Sequence, residues 1–353
     1  MAKMSSLSGS IPVGPQVLGR VLGVNGGPLD GGKALADARW VALDAGFPAH
    51  ETAPASSTLL ETGVKVIDLF APLPRNGTVA MVAEPGVGKL VVLSEIIHIV
   101  TALQGGCAVL VALEEQTVGS HELVRDFREY GVLAQTVILL GKRDASEADQ
   151  ARLALAGQTI AEAFCAEGRQ VVLAIEADAV STAARERLSG RHSAHSTGGI
   201  TALLLCDPDE MSQQAIESAH DGRLVFSRAL AKQQIYPAID LLASTSRLLE
   251  EGHVSQEHLQ VARHARQLLE RAARMAAGKE PADAQVQARA RRIQLFQSQP
   301  FFVAEPYTAR HAKYVPLAET IRSYQAILQG RYDALPEESF RFIGAIDEAK
   351  NQA

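Results

Sequence analysis

The sequence predicts an α/β fold, a doubly wound parallel sheet followed by a helical C-terminal part, and three observations carry that reading. Short apolar runs without polar alternation recur between helix-like stretches, as in parallel strands covered on both faces. One run, Thr78-Val79-Ala80-Met81-Val82, leads into the glycine-rich turn Pro85-Gly86-Val87-Gly88-Lys89, with an apolar helical pattern behind it. After Arg247 the strand-like runs stop, and Ala, Glu, Arg and Gln at helical spacing take over.

In chain order, residues 1–10 are small and polar, predicting a disordered tip, and they lack the apolar core of a signal peptide. Residues 1–60 read as a leading segment with little core of its own. Its β-like run Val17–Leu22 is followed by Gly-Gly-Pro and Pro-Ala breaks. Residues 61–247 read as one α/β domain. Its strands are expected at Thr78–Val82, Cys107–Leu113, Thr136–Leu140, Gln170–Ile175 and Ile200–Cys206, with a helix from Lys89 to Val100. Residues 248–353 read as a helical domain broken at Pro281, Pro300, Pro306, Pro316 and Pro336. The arginines of 263–274 and 289–292 read as a solvated helix face balanced by Glu270 and Glu280, so no nucleic-acid partner is expected.

Composition narrows the function classes. The chain has 353 residues, 47% hydrophobic and 21% charged, with a net charge of −6, which suits a globular protein and does not point to a polyanionic partner. Cys107, Cys165 and Cys206 are scattered and odd in number, so buried thiols in a reducing compartment are expected rather than a disulfide framework. No apolar run approaches the ~18–20 residues of a membrane span, so any membrane association is expected through partner proteins. The histidines form no H-E-x-x-H pair and no cluster with cysteine, so no zinc site is expected.

The chemistry-bearing motif is Ala83-Glu84-Pro85-Gly86-Val87-Gly88-Lys89-Leu90. It follows the phosphate-loop pattern G-x-x-x-x-G-K-[ST], with Ala83 in place of the first glycine and Leu90 in place of the hydroxyl. Gly86 and Gly88 permit a tight turn whose N–H groups point inward at a helix N-terminus, and Lys89 adds a cation for phosphate. The oxygen that would hold Mg²⁺ is missing. A ligand-free strand-to-helix turn is the plain alternative. A dinucleotide loop fits poorly, because the third glycine is absent.

Four ordered motifs resemble the beta subunit of the F-type rotary ATP synthase. They are Glu61-Thr62-Gly63-Val64-Lys65-Val66-Ile67-Asp68-Leu69 with the loop above, and Gln234-Ile235-Tyr236-Pro237-Ala238-Ile239-Asp240 with Ser244-Thr245-Ser246-Arg247. The others are Ser298-Gln299-Pro300-Phe301-Phe302-Val303-Ala304-Glu305 and Val315-Pro316-Leu317-Ala318-Glu319-Thr320-Ile321. The resemblance runs from about Ile11 to Glu348, and the family's N-terminal β-barrel is expected to be absent. It implies a RecA-like P-loop nucleotide-binding domain with a helical C-terminal domain, ATP or ADP with Mg²⁺, and alpha-type and gamma-type partner subunits. It also implies a cytoplasmic place, peripheral to the inner membrane through the complex.

The resemblance assigns roles residue by residue. Gly86, Val87, Gly88, Lys89 and Leu90 fall on the phosphate-binding positions, and Glu115 falls on the glutamate that orients the attacking water, with Lys89 as its catalytic companion. Glu176, at the end of an apolar run, falls on the Walker B aspartate that reaches Mg²⁺ through water. Tyr236, Phe301 and Tyr307 fall on the adenine-stacking positions, and Arg247 on an interface arginine. Gln116 and Val180 stand where the family has arginines, the segment Ser181–Thr197 is shorter, and the acidic lever at Ala277–Asp283 keeps only Glu280 and Asp283. The departures cluster on metal and γ-phosphate chemistry. Two readings stay open: an enzyme that makes or hydrolyses ATP beside an alpha-type partner, and a nucleotide-binding assembly or regulatory paralogue with weak or no catalysis.

Overall fold

A computed structural model of the chain describes residues 9–43, 58–114, 119–177, 198–208, 219, 221–250 and 253–352. In chain order the strands are β1 (Ser10–Val13), β2 (Val21–Gly23), β3 (Arg39–Ala42), β4 (Leu59–Leu60), β5 (Leu73–Pro74) and β6 (Gly77–Val82). They continue as β7 (Cys107–Glu114), β8 (Thr136–Lys142), β9 (Gln170–Glu176), β10 (Gly199–Cys206), β11 (Gly222–Val225) and β12 (Thr245–Ser246). The helices are α1 (Lys65–Phe70), α2 (Lys89–His98), α3 (Gly119–Glu129), α4 (Glu147–Ala166) and α5 (Arg228–Lys232), then α6 (Gln256–Ala276), α7 (Ala284–Phe296), α8 (Glu305–Thr308) and α9 (Leu317–Leu328). The fold is α/β, with helices following the sheet toward the C-terminus.

The chain divides into two compact units. One comprises residues 1–58, 74–82 and 93–220, the other residues 59–73, 83–92 and 221–353. This partition differs from cuts at residues 60 and 247, because the segments 59–73 and 83–92 make their contacts with the C-terminal helices' unit.

The first unit holds a parallel run of strands in the order β6-β10-β9-β7-β8-β2. The apolar runs fix it: β6 and β10 are buried along their whole length, which only a sheet covered on both faces provides. Registers such as Leu203↔Val79, Leu203↔Ala174 and Val109↔Leu173 align the runs. The helix α4 lies against β7, β8 and β9. It starts at Ser146, whose side chain accepts from Asp149 N–H, with Glu147 and Asp149 placed favourably in the first turn.

The leading segment departs from its expected character. Val21↔Ile138 pairs β2 in parallel with β8, and β1 pairs with β3 as an antiparallel ribbon. Ile11, Val13 and Leu22 are fully buried, so this stretch contributes to the core. The helix expected to reach Val100 ends at His98, and residues Ile99–Leu103 widen into a π-turn. Cys107, Cys165 and Cys206 are buried free thiols, and burial pushes the Cys107 thiol up to about 12.

In the second unit α6 packs on α7 and α9, and α1 packs on α9. The helix α1 is buried on every side, including Lys65 and Asp68. Lys65 Nζ donates to the Ile343 carbonyl at 2.5 Å and lies 3.8 Å from the centroid of the Phe296 ring. Burial holds its pKa well below the ordinary lysine value. Tyr324 stands edge-on to Phe70 and Phe296, with ring centroids 5.3 and 5.0 Å away.

The C-terminal arginines are not simply a solvated face. Arg266 donates to the carbonyls of Phe70 and Ser244 at 2.6 and 2.8 Å, and Arg292 to those of Asp333 and Leu335 at 2.8 and 3.1 Å. Arg289 forks onto the Asp333 carboxylate. Arg266 and Arg292 thereby satisfy carbonyls at a helix end and in loops that no regular element pairs.

Candidate functional site

The glycine loop is shaped by backbone conformation rather than by lack of space. Gly86 and Gly88 have φ of 78° and 98°, and a Cβ at either would meet nothing within 4 Å. Side chains at positive φ are strained, so glycine is the residue that lets this turn form without that strain. Val87 between them is buried and anchors the loop, and Lys89 and Leu90 open α2, with Val92 N–H donating to the Gly88 carbonyl at 3.2 Å. Arg228, at the start of α5, pairs with Glu84 and donates to the Pro85 carbonyl at 2.9 Å, holding the loop from its other side.

Gly86, Val87 and Gly88 line a cavity of about 500 Å³ together with Tyr236 and Phe301, all within the second unit. That size suits a nucleotide-sized ligand. Phe301 is 5% exposed and Tyr236 45% exposed, so one aromatic is fixed in the wall while the other offers a face to solvent. Tyr236 Oη donates to the Ala231 carbonyl at 3.2 Å. Tyr307 stands on α8, 59% exposed, and is not among the lining residues, whereas its neighbour Thr308 is. Lys89 and Leu90 likewise stand outside the lining, at the head of the following helix. Among the lining residues that escaped the sequence reading are Arg310 and Phe342, whose guanidinium and ring lie 4.1 Å apart. Nothing in their local spacing marks them, because the fold brings them in from separate segments.

Glu176 ends β9, and one of its carboxylate oxygens accepts from Leu113 N–H at 2.9 Å. Leu90 is 37% exposed and offers no oxygen. Among the described residues no group of three or more His, Cys, Asp or Glu side chains gathers where an ion would sit. Leu90 withholds the side-chain hydroxyl that a phosphate loop gives Mg²⁺, while Glu176 keeps a carboxylate of the kind that reaches the ion through water, so the donor types present fit the ion only in part. Glu115, Gln116, Val180 and the segment 181–197 lie outside the described residues.

Arg247 pairs with Asp221 of the same unit, Nη2 to Oδ1 at 2.7 Å, and its N–H donates to the Asp221 carbonyl at 2.9 Å. The acids of the 277–283 stretch are also engaged locally. Glu280 pairs with Arg274 at 2.5 Å, and Asp283 caps α7 by accepting from Gln285 and Val286 N–H. No helix of the described residues is long and apolar enough to cross a membrane. Residues 63–195, which carry the glycine loop and the strand ending in Glu176, match the family model of the ATP synthase alpha/beta family, nucleotide-binding domain, and this stretch of the chain is similar to that domain.

Proposed function

We propose that the chain is a beta-type relative of the rotary ATPase subunits that binds ATP or ADP with weakened catalysis, beside an alpha-type subunit and with a gamma-type shaft as further partner. The observation that supports it most is the shared cavity: the glycine loop and the aromatic pair Tyr236 and Phe301 wall one space of about 500 Å³. A loop of inward N–H groups at a helix N-terminus suits phosphate, and aromatic faces suit a base. The beta assignment rests on the resemblance of the ordered motifs, on Glu115, the carboxylate expected to order water, and on Lys89 at the phosphate; Arg247 is read as standing at a subunit boundary. In this reading Tyr307, which stands outside the cavity lining, completes the base-binding set. Any membrane association runs through those partners.

Weakened catalysis follows from Leu90 and Glu176, which leave the metal without its usual donors. The same observation favours the second reading, a catalytically inactive assembly or regulatory paralogue. A calorimetric titration of the chain with ATP, with and without Mg²⁺, is expected to show binding in both conditions, with affinities within about threefold of each other. Absence of binding in either condition rules out both readings. Tyr236→Ala is expected to weaken ATP binding by about 1–3 kcal/mol, the size of a lost base–aromatic stack. The same titration checks it, and unchanged affinity would remove Tyr236 from the base site.

A further inference from the structure

We propose that Arg228 is a positioning residue for the phosphate loop: it neutralises the Glu84 carboxylate that the loop itself carries, and so sets how strongly the loop holds a chain of phosphates. The inference rests on the nucleotide reading above and extends it to a residue outside the cavity lining. A Cβ at Gly86 or Gly88 would meet nothing within 4 Å, so packing at those two positions does not fix the turn. Buried Val87 anchors the middle of the loop, and α2 begins at Lys89. The leading end is gripped by Arg228. Its Nε pairs with a Glu84 carboxylate oxygen, and its Nη2 donates to the Pro85 carbonyl at 2.9 Å.

Arg228 is rooted in the segment that builds the base side of the cavity. Ser227 caps α5 by accepting from Leu230 N–H, and its own N–H donates to the Ala238 carbonyl at 2.8 Å. The Tyr236 hydroxyl donates to the Ala231 carbonyl on the same helix. Tyr236 and Ala238 both line the cavity, so α5 ties the aromatic wall to the phosphate loop within one compact unit. A loop held before its ligand arrives loses less conformational freedom on binding.

The charge on the loop gives the contact its purpose. Glu84 stands at a position that the phosphate-loop pattern leaves open, and a carboxylate there opposes the anion the loop is shaped to take. Unneutralised, it repels a polyanionic phosphate chain. Gly86, Val87 and Gly88 are lining residues whereas Glu84 and Pro85 are not, so Arg228 engages the carboxylate outside the cavity. Both side chains of the pair are exposed, and such a pair adds little to folding stability. Its effect is expected in phosphate affinity and not in unfolding temperature.

The test titrates ATP into the full chain and into Arg228→Met, Arg228→Lys, Glu84→Gln and the double variant Arg228→Met with Glu84→Gln. Arg228→Met is expected to bind ATP about tenfold more weakly than the unmodified chain at about 0.05 M salt, and about threefold more weakly at about 0.5 M, where repulsion from Glu84 is screened. Glu84→Gln alone and the double variant, whose net charge equals that of the unmodified chain, are both expected to stay within about threefold of it. Arg228→Lys keeps the charge and loses the fork, so its loss is expected to be about threefold or less. An Arg228→Met chain that binds ATP within about twofold of the unmodified chain, a double variant as weak as Arg228→Met, or a loss that salt leaves unchanged would each overturn the inference and leave the nucleotide reading standing. Failure of the unmodified chain to bind ATP would overturn that reading and the inference with it. Thermal unfolding of all four variants is expected to match the unmodified chain, and a clear drop in Arg228→Met would make the contact part of the fold and overturn the inference.

Discussion

Asp68→Ala is expected to lower the unfolding free energy by about 3–5 kcal/mol, a large share of the roughly 5–15 kcal/mol that holds a typical domain together. The Asp68 carboxyl is fully buried and accepts from Thr62 N–H at 2.9 Å, Thr62 Oγ1 at 2.6 Å and Gly63 N–H at 2.7 Å. Alanine removes the acceptor and leaves those donors away from water, where each costs about 1–3 kcal/mol if unmet. Burial pushes the Asp68 carboxyl up to about 7, against the downward pull of the donors from Thr62 and Gly63. Asp68→Asn keeps an acceptor for Thr62 but turns an amino group toward Gly63 N–H, so it is expected to cost less than alanine and more than 1 kcal/mol. Denaturant unfolding with unchanged slope measures both, and a cost below about 1 kcal/mol for alanine would refute the role given to this carboxyl.

The consequence reaches the cavity. Gly63 accepts from Val315 N–H at 3.0 Å and from Gln299 Nε2 at 2.7 Å, so the turn that Asp68 holds also positions the segment bearing Phe301 and Arg310. Nucleotide affinity is therefore expected to fall with stability in Asp68→Ala.

Leu90→Thr combined with Glu176→Asp is expected to make ATP binding depend on Mg²⁺ by about tenfold or more, where the unmodified chain shows little dependence. Threonine supplies the hydroxyl that Leu90 lacks, and aspartate is one methylene shorter than the present carboxylate, the length that the resembling family uses. ATP hydrolysis is expected to rise in the same variant, by about tenfold or more. Titration with and without Mg²⁺ and a phosphate-release assay read the two effects. Rapid hydrolysis by the unmodified chain, equal to that of the double variant, would refute weakened catalysis.

The strands were legible because burial on both faces leaves an unbroken apolar run, a signal local to each segment. Thr78–Val82, Cys107–Leu113, Thr136–Leu140, Gln170–Ile175 and Ile200–Cys206 each differ from the observed strand by at most a couple of residues at one end. Val21–Gly23 was less legible as a sheet strand, since its place is decided by the partner β8 and not by its own three residues. The helix expected to reach Val100 ran short because hydrophobic spacing does not distinguish α from π hydrogen bonding at its end.

Within the candidate site, the glycine loop was legible because its φ angles demand glycine at fixed spacing, a demand written directly in the sequence. Tyr236 and Phe301 were reached through resemblance, and the cavity they share with the loop is a fact of packing. Arg310 and Phe342 were invisible, being 32 residues apart and belonging to none of the quoted motifs. Lys65 and Asp68 look in sequence like charges on an ordinary amphipathic helix, yet both are buried. By itself, then, the sequence determined the α/β order, the phosphate-loop turn and the loss of the metal-binding hydroxyl at Leu90, all set by residue types at short spacing. Only the tertiary structure decided which charges are buried and which guanidinium faces the cavity, because burial and stacking depend on segments far apart in the chain.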